Sequence, residues 1–475
     1  MHGSIATDID RPYSAFPIRP TRLPAWPVFD DTPELPADGP STGLGRRLAS
    51  RSPRSIGLAL VALAAVVYVL SNPPHSDFYN HFVWQADAWL HGRLAIPYPV
   101  STGPFRNDYF QDVMPLPDMP GYGVIPFPAL PAVVLLPAVA LLGLATPASL
   151  ITALLGAVDV WLAWRLVTRL AADRGVAVAA TAFFAFGTVA WYAAAIGTTW
   201  FLAHVVAMGL TLLAITVAVD AEPASSGASP VGRSGLPAGS RPAFLAGLLL
   251  GLAALSRLTV VFGAPFLVLV GGGSWRTRAV AAALGVVIPL VVLAGYNLAS
   301  TGQIFNPAYA EIARVEFHPN PALYHPTWGV EDVRYIPQNL PLALFNPPEI
   351  DLACGVALLD PNCGTIRPNP IGMGLLLTSP AYLLALPALR WILRNRLVAG
   401  ATIAVVLIAL ADAAHFSQGW VQFGWRFSND FAPFALIPVT LVMARWGLNR
   451  IVVTLVTLSI LVNAWGVYWG VVLGW

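Results

Sequence analysis

Apolar residues run through this chain in long blocks, separated by polar segments rich in Pro, Asn and aromatics. A helix rising ~1.5 Å per residue needs about 20 apolar residues to cross a ~30 Å hydrocarbon core. Blocks of that order predict nine full spans, at about 56–70, 150–169, 176–196, 200–219, 278–297, 371–390, 397–414, 429–446 and 451–473. Two further blocks do not read as simple spans. Segment 124–144 carries Pro126, Pro128, Pro131 and Pro137, and Pro inside a helix removes a backbone hydrogen bond. Run 243–270 would make a single helix of ~42 Å, longer than the core is thick. It is also basic at both ends, with Arg241 before it and Arg276 and Arg278 after. Two short helices turning near Ser256 and Arg257 are expected there. The pattern predicts an all-α polytopic membrane protein, a bundle of about 9–11 transmembrane helices.

Charge gives the bundle a direction. Residues 1–54 are Pro-rich and polar and read as a disordered cytoplasmic tail, leaving 55–475 as the transmembrane domain. The tail ends in Arg46, Arg47, Arg51 and Arg54, which puts the N-terminus inside. If segment 124–144 crossed the membrane, Arg165, Arg169, Arg174, Arg276, Arg278, Arg390, Arg394, Arg396, Arg445 and Arg450 would all lie outside. If it does not cross, all of them lie inside, as the bias of basic residues toward cytoplasmic loops requires. A Pro-broken helix lodged against protein at the outer face is physically allowed. Two long outer loops then follow, at about 72–123 and 298–370. Loops of that length are functional or disordered, and their aromatic content argues against disorder.

Composition removes several classes of function. Hydrophobic residues make up 56% of the 475 and charged residues 11%. A soluble domain carries roughly 25% charged residues, so a soluble enzyme, a disordered chain and a nucleic-acid binder are all excluded. The net charge is only +2, so no polyelectrolyte partner is implied. All 26 basic residues are Arg, a bias expected of a GC-rich, bacterial genome. With no Lys in the chain, any cation that holds a phosphate must be Arg.

Candidate chemistry gathers on the outer side. The first outer loop opens His75-Ser76-Asp77-Phe78-Tyr79-Asn80-His81. Asp77 falls just past the first span, where a carboxylate can meet a lipid-linked substrate at headgroup depth. Segment 78–94 reads as an interfacial amphipathic helix with Asp77, Asn80, His81, Gln85 and Asp87 on its polar side. Ser76 or Asp77 as its N-cap is the bland alternative. Arg106, Asp108 and Asp112 lie within seven residues and could bind a sugar or a metal, or could be a solvated turn. Arg257 at the hairpin tip needs a partner, either a phosphate or the mid-span Asp159. The late run Gln422-Phe423-Gly424-Trp425-Arg426-Phe427 places one Arg among aromatics, as a phosphate fork or a snorkelling belt residue. Cys354 and Cys363, the two cysteines, share the second outer loop and read as a local structural disulfide.

These pieces resemble the polytopic GT-C glycosyltransferases, nearest to the dolichyl-phosphate-mannose-protein-mannosyltransferase-like branch. Asp77 in Ser76-Asp77-Phe78-Tyr79 matches the acidic residue that the family carries after its first span. The Pro-rich run from Tyr122 to Pro131 is similar to the one leading into its next apolar segment. The stretch from Gly247 through Ser256-Arg257-Leu258-Thr259 resembles its "GLALLSRPT" run. Tyr296-Asn297 with Gly302 resembles a "YNYxxFGSP" span exit, and Gln422 to Phe427 resembles its "QFGxRY" run. The likeness covers most of residues 56–473. Where the family often has an adjacent acidic pair, Asp77 stands alone beside Phe78.

The resemblance implies transfer of a hexose or pentose from a polyprenyl-phosphate donor, with inversion, to a lipid, glycan or protein acceptor on the outer face of the cytoplasmic membrane. It implies Asp77 as general base, with Asp108 or Asp112 as a secondary acid or sugar ligand. His81, Arg106, Arg257, Arg426 and Gln422 are then the substrate-binding candidates. No cofactor is required by these residues, and a divalent metal is left open. Two other readings stand beside it. One is a lipid or lipid-linked saccharide flippase, with Asp159, Arg257 and Asp412 lining a route through the bundle. The other is a non-catalytic membrane subunit with the same fold.

Overall fold

The computed structural model describes residues 48, 50–72, 79–97, 112–222, 239–317, 324–354, 363–419 and 422–472. Most of the expected tail, and with it Asp77, Arg106 and Asp108, lie outside the described residues. The first helix, α1 (Pro53–Ser71), starts two residues inside the boundary drawn for the tail. Ser52 caps it by accepting from the Ser55 amide, and Pro53 occupies the first turn, where its missing N–H costs nothing. Helix α2 (His81–Leu90) and the short antiparallel strands β1 (Ile96–Pro97), β2 (Met114–Pro115) and β3 (Tyr122–Val124) build the first loop. Strand β3 lies in the middle, pairing Ile96 with Gly123 and Met114 with Val124. Next come α3 (Leu130–Leu142), α4 (Ala148–Leu170), the bent pair α5 (Arg174–Phe186) and α6 (Ala190–Ile196), and α7 (Thr199–Asp220).

Contacts fix which helix ends lie together. Asn72, just past α1, donates to the carbonyl of Ala195 at 3.0 Å. A Cβ on Gly197 would meet the Ser149 backbone at 2.7 Å, and Thr199 donates to the Tyr79 carbonyl at 3.3 Å. Residues 72, 79, 149 and 197–199 therefore share one end of the bundle, the loop end. Segment 124–144 starts and finishes there, so it does not cross. Its helix α3 keeps Pro137 inside it and packs on α2 around a separate core of Phe82, Val83, Ile125, Leu135 and Leu202. At the opposite, arginine end, Arg169 pairs with Asp220, and Arg396 pairs with Glu222 at 2.7 Å.

The long run after the linker is a hairpin, as its charge pattern requires. It comprises α8 (Ser240–Ala254), a 3-10 turn (Leu258–Gly263) and α9 (Pro265–Leu269), and the chain reverses at Ser256 and Arg257. Gly239 and Gly272 come together at its base, where a Cβ on Gly239 would collide with the Gly272 carbonyl. At its tip, the Leu255 carbonyl accepts from the Leu130 amide at 3.0 Å. Helix α10 (Trp275–Thr301) then packs closely on α8 through Gly247, Gly251 and Gly285, each too near a facing carbonyl for any side chain. Small residues at that spacing let two backbones touch where lipid offers no hydrophobic push.

The second loop carries α11 (Ala308–Ile312), α12 (Ile336–Phe345) and a two-stranded ladder of β4 (Glu349–Ile350) and β5 (Ile366–Arg367). Cys354 and Cys363 are disulfide-bonded between the strands, with Cα atoms 5.1 Å apart. Past it lie α13 (Leu375–Thr378), a 3-10 helix (Pro380–Trp391), α14 (Arg396–Ala413), α15 (Ser428–Trp446) and α16 (Arg450–Val472). Helix α15 is buried from Ser428 to Met443 and forms the axis of the bundle.

Among the described residues, six helices are long and apolar enough to cross a membrane, or seven when the bent pair α5–α6 counts as one span. The all-α, multi-pass expectation is met, but three of the nine expected spans are not among these six helices: 429–446, the α15 helix with Asp430, Pro433 and Pro438, and the spans 176–196 and 371–390. Span 176–196 is broken by 50° at Gly187–Val189 rather than continuous. Span 371–390 is not an α-helix. Pro380 and Pro387 deny it the full ladder, and most of it is 3-10, which at ~2.0 Å per residue stretches 12 residues over about 24 Å. Its loosened backbone is satisfied by α16, where Ser459 accepts from Ala381 N at 3.0 Å and Asn463 donates to the Thr378 carbonyl at 2.9 Å.

Candidate active site at the loop end

Three helix faces converge where the hairpin tip meets the loop end. Helix α7 turns Trp200, Phe201 and His204 to one side, because residues three and four apart share a face. Helix α14 brings Asp412 in its last turn, and α15 brings Asp430 in its first. Asp430 is fully buried and is the hub. Its carboxylate lies 2.7 Å from His204 Nδ1, and accepts from Arg257 Nε at 3.0 Å, Arg257 Nη2 at 3.0 Å and Thr259 Oγ1 at 2.6 Å. Asp412 stands 3.9 Å from the same Arg257 nitrogen. A carboxylate near a helix N-terminus is favoured by the helix dipole, and an intramembrane Arg requires such a partner.

Phe427, one residue before α15, forms the floor between this hub and a second Arg. The Arg257 guanidinium carbon lies 4.9 Å from its ring centre and that of Arg426 lies 5.4 Å away. Arg426 is 9% exposed and is also held over Trp200 at 5.6 Å and Phe201 at 5.9 Å. Among the described residues Arg426 makes no ion pair, and its Nε is buried without a hydrogen-bond partner. Burial pushes its guanidinium down to about 10, against the pull of Tyr309; Arg257 adds to the push and Asp112 opposes it. Aromatic faces stabilise a desolvated cation by only about 2 kcal/mol. Arg426 is thus a buried cation with no ion-paired anion of its own among the described residues.

Residues of the two long loops close the site. Asp112 is the one non-Gly residue with positive φ among those described, at 56°, and its carboxylate accepts from Trp200 Nε1 at 3.1 Å. Backbone strain of that kind costs of order 1 kcal/mol and persists where the surroundings hold it. Tyr309 on α11 is close enough to feel the charges of Asp112 and of both Arg. Burial first, and Asp112 second, push its hydroxyl up to about 12 against Arg426 and Arg257. Burial and Asp112 likewise raise Tyr79, whose ring sits edge-on to Trp200 at 4.7 Å. At the rim, His415 Nδ1 is 2.6 Å from Glu331 Oε1, and the His415 ring meets Tyr309 edge to face at 5.3 Å.

Of the residues singled out from sequence, Asp112, Arg257 and Arg426 meet in this site. His81 lies in the wall behind it. It is fully buried, with Nδ1 2.8 Å from Thr199 Oγ1 and its ring among Tyr79, Trp84, Phe127 and Trp200. Gln422 builds the loop instead, its amide donating to the carbonyls of Ile371 and Gln418, each at 2.6 Å. Asp159 is not the partner of Arg257. It packs on Gly209 with one carboxylate oxygen unpartnered, while Asp430 and Asp412 hold the Arg. Of segment 78–94, the helix α2 begins at His81 with Asn80 at its N-cap, and two of its expected polar positions, His81 and Gln85, are buried in protein. That start leaves neither Ser76 nor Asp77 as the cap.

Two solved structures resemble the chain in fold. ArnT from Cupriavidus metallidurans, crystallised bound to undecaprenyl phosphate, aligns over 83% of this chain and 60% of its own at 16% identity and a TM-score of 0.43. The oligosaccharyltransferase of Archaeoglobus fulgidus in its apo form aligns over 88% of this chain and 55% of its own, at 11% identity and a TM-score of 0.46. The chain thus spans less than two thirds of either. No protein-family model matches, and no curated relative matches. With both TM-scores under 0.5, the functional reading rests on the site itself.

Asp430, His204, Tyr309, Glu331 and His415 were not singled out by the sequence. The signal available for two of them was their place. His204 and Asp430 sit inside otherwise apolar spans, where an ionisable group needs a reason. Among the described residues, no three His, Cys, Asp or Glu side chains cluster as metal ligands.

Proposed function

We propose that this protein transfers a sugar from a polyprenyl-phosphate donor to an acceptor at the loop end of the bundle. The observation that carries the reading is Arg426, a buried cation beside Arg257, on aromatic rings, with no anion of its own among the described residues. A phosphodiester that brings one charge to that point relieves the burial, and a fork-shaped cation suits two of its oxygens. When the anomeric carbon–oxygen bond breaks, the phosphate gains a second charge at the place where two guanidinium groups are already held. Stabilising charge that develops in the transition state is the larger part of such catalysis. Asp112 and Tyr309 supply a carboxylate and a hydroxyl for the sugar. Asp77, two residues before Tyr79 in the chain, is assigned as the base that takes the acceptor proton, giving inversion by direct displacement. A flippase has less to favour it, since Arg257, Asp412 and Asp430 are tied into one ion-paired cluster.

The test is hydrolysis and transfer with a panel of undecaprenyl monophosphate hexoses and pentoses, together with binding of undecaprenyl monophosphate. Arg426→Gln removes charge-assisted bonds of about 1.5–3 kcal/mol, so affinity falls about 10- to 100-fold. Asp77→Asn keeps the fold and the affinity and abolishes turnover. Equal affinity in Arg426→Gln, or wild-type turnover in Asp77→Asn, refutes the assignment.

A further inference from the structure

His415 and Glu331 reach the site from two different segments. Glu331 comes from the second loop and His415 from the turn after α14, and the two pair as a short β-bridge. Asp332 N donates to the Ala414 carbonyl at 2.9 Å and Phe416 N to the Val330 carbonyl at 2.9 Å, so the backbone on both sides is fixed. The side chains then meet through Nδ1 at 2.6 Å. A carboxylate on Nδ1 sets the tautomer and supports the imidazolium, leaving Nε2–H as the free donor. Nε2 has no partner among the described residues. The ring is edge to face with Phe427, centroids 6.3 Å apart. That is the ring on which Arg257 and Arg426 lie at 4.9 and 5.4 Å, so an imidazole and two guanidinium groups surround one phenyl.

We infer that His415, oriented by Glu331, is a general acid that protonates the departing polyprenyl phosphate. This rests on the glycosyl-transfer reading and extends it. In the step, the acceptor oxygen forms a bond to the anomeric carbon and its proton passes to the base. The bond from that carbon to the phosphate oxygen breaks, and its electron pair stays on the phosphate. His415 Nε2 gives its proton to a phosphate oxygen. The products are the glycosylated acceptor and a polyprenyl hydrogen phosphate, and solvent reprotonates the imidazole. The pairing is chemically apt, because imidazole and the second proton of a phosphate monoester have ordinary pKa values of about 6.5 and about 6. Proton transfer between matched groups typically contributes about 10²–10⁴-fold.

The acid form must be present, so the rate falls as pH rises through the imidazole range. The other charged or titratable groups around His415 are Tyr309 on α11, Glu331, Asp332 and Arg334 in the second loop, Asp412 on α14, Arg257 at the hairpin tip, Arg426 and Asp430 at the start of α15, and His204 on α7, whose ring packs on Phe427 at 6.1 Å. Tyr309 is pushed up to about 12, and Arg334 holds Asp332 down at about 2. Carboxylates and guanidinium groups ordinarily titrate outside pH 6–8. His204, the phosphate product and the buried Asp412 are further groups at the site, so a limb in that window is assigned to His415 by its loss in H415Q.

The experiment measures kcat against pH for hydrolysis of the undecaprenyl monophosphate sugar that wild type turns over, together with affinity for undecaprenyl monophosphate. H415Q is expected to bind within about 3-fold of wild type, lose about 10²-fold or more in kcat and lose the alkaline limb. An H415Q enzyme that keeps the limb overturns the inference. If H415Q does not fold, E331Q at the exposed partner decides. Without the carboxylate the imidazolium is weaker, so the limb moves to lower pH, and an unmoved limb overturns the inference. Failure of the underlying reading looks different: wild type then neither turns over any sugar of the panel nor binds undecaprenyl monophosphate, and both proposals fall together.

Discussion

The Asp430 hub makes a stability prediction that does not depend on any substrate. Asp430→Asn keeps the shape and removes the charge from a side chain with no exposure, while Arg257, 21% exposed, keeps its own. Breaking a buried ion pair on one side costs about 3–5 kcal/mol, because the surviving charge is left in a poor solvent. Two features place this case at the low end, about 3 kcal/mol. Arg257 retains Asp412 at 3.9 Å, and its own partial exposure lets water help. The Asn oxygen can still accept from Thr259 or from Arg257, which further limits the loss. In detergent, thermal unfolding should then drop by about 3 °C. Adding Arg257→Met removes the stranded cation, so the double variant should recover part of that drop, with a coupling of about 1–3 kcal/mol. Asp159→Asn is the control. Asp159 is equally buried but has no cationic partner among the described residues, and its change should shift unfolding by less than half as much. A D430N protein that melts with wild type, or a double variant no better than the single one, refutes the hub as the element that pins the hairpin tip.

Two more outcomes follow from the packing. Gly247→Val forces a side chain against the Ala282 carbonyl and should cost about 1–3 kcal/mol or prevent the α8–α10 contact, seen as loss of a monodisperse peak on size exclusion. Gly295→Ala, on the same α10 but with open space around it, should be neutral or stabilising by about 0.5–1 kcal/mol. Replacing Cys354 and Cys363 with Ser releases a nine-residue separation, which loop entropy values at about 2–3 kcal/mol. Proteolysis of the second loop should quicken while turnover stays within about 2-fold, since neither Cys lies among the residues that meet at the site.

What the sequence made legible was whatever depends on polarity along the chain. The hairpin at Ser256-Arg257, the non-crossing segment 124–144 and the two structured loops all came from where Arg and Pro fall. Helix type was not legible in the same way. Residues 371–390 have the composition of a span, and composition reports depth rather than hydrogen-bond pattern; Pro380 and Pro387 were the available warning. The polar side of segment 78–94 was ambiguous for a related reason. An amphipathic stripe looks the same whether its polar side meets water or protein, and here His81 and Gln85 find Thr199 and Tyr296, 118 and 211 residues away. Pairings over such separations leave no local trace. Arg257 and Asp430 are 173 residues apart, and only their shared depth could have linked them.

The two arginines that the sequence offered as equal phosphate cations are not equal in the fold. Arg257 has Asp430 at 3.0 Å and Asp412 at 3.9 Å, so its charge is matched before any substrate arrives. Arg426 lies over three rings with no ion pair among the described residues, and its guanidinium is pushed down by burial. A matched cation responds to an incoming phosphate weakly, because the anion must compete with carboxylates already in place. An unmatched one responds strongly. The division of work follows from that difference. Arg257 holds the hairpin tip against α15 and keeps the floor of the site in register, and Arg426 is the group whose energy changes most when an anion enters. On the proposed glycosyl-transfer reading, recognition of phosphate among the described residues therefore falls chiefly on one side chain, whose surroundings, rather than its sequence motif, set it apart.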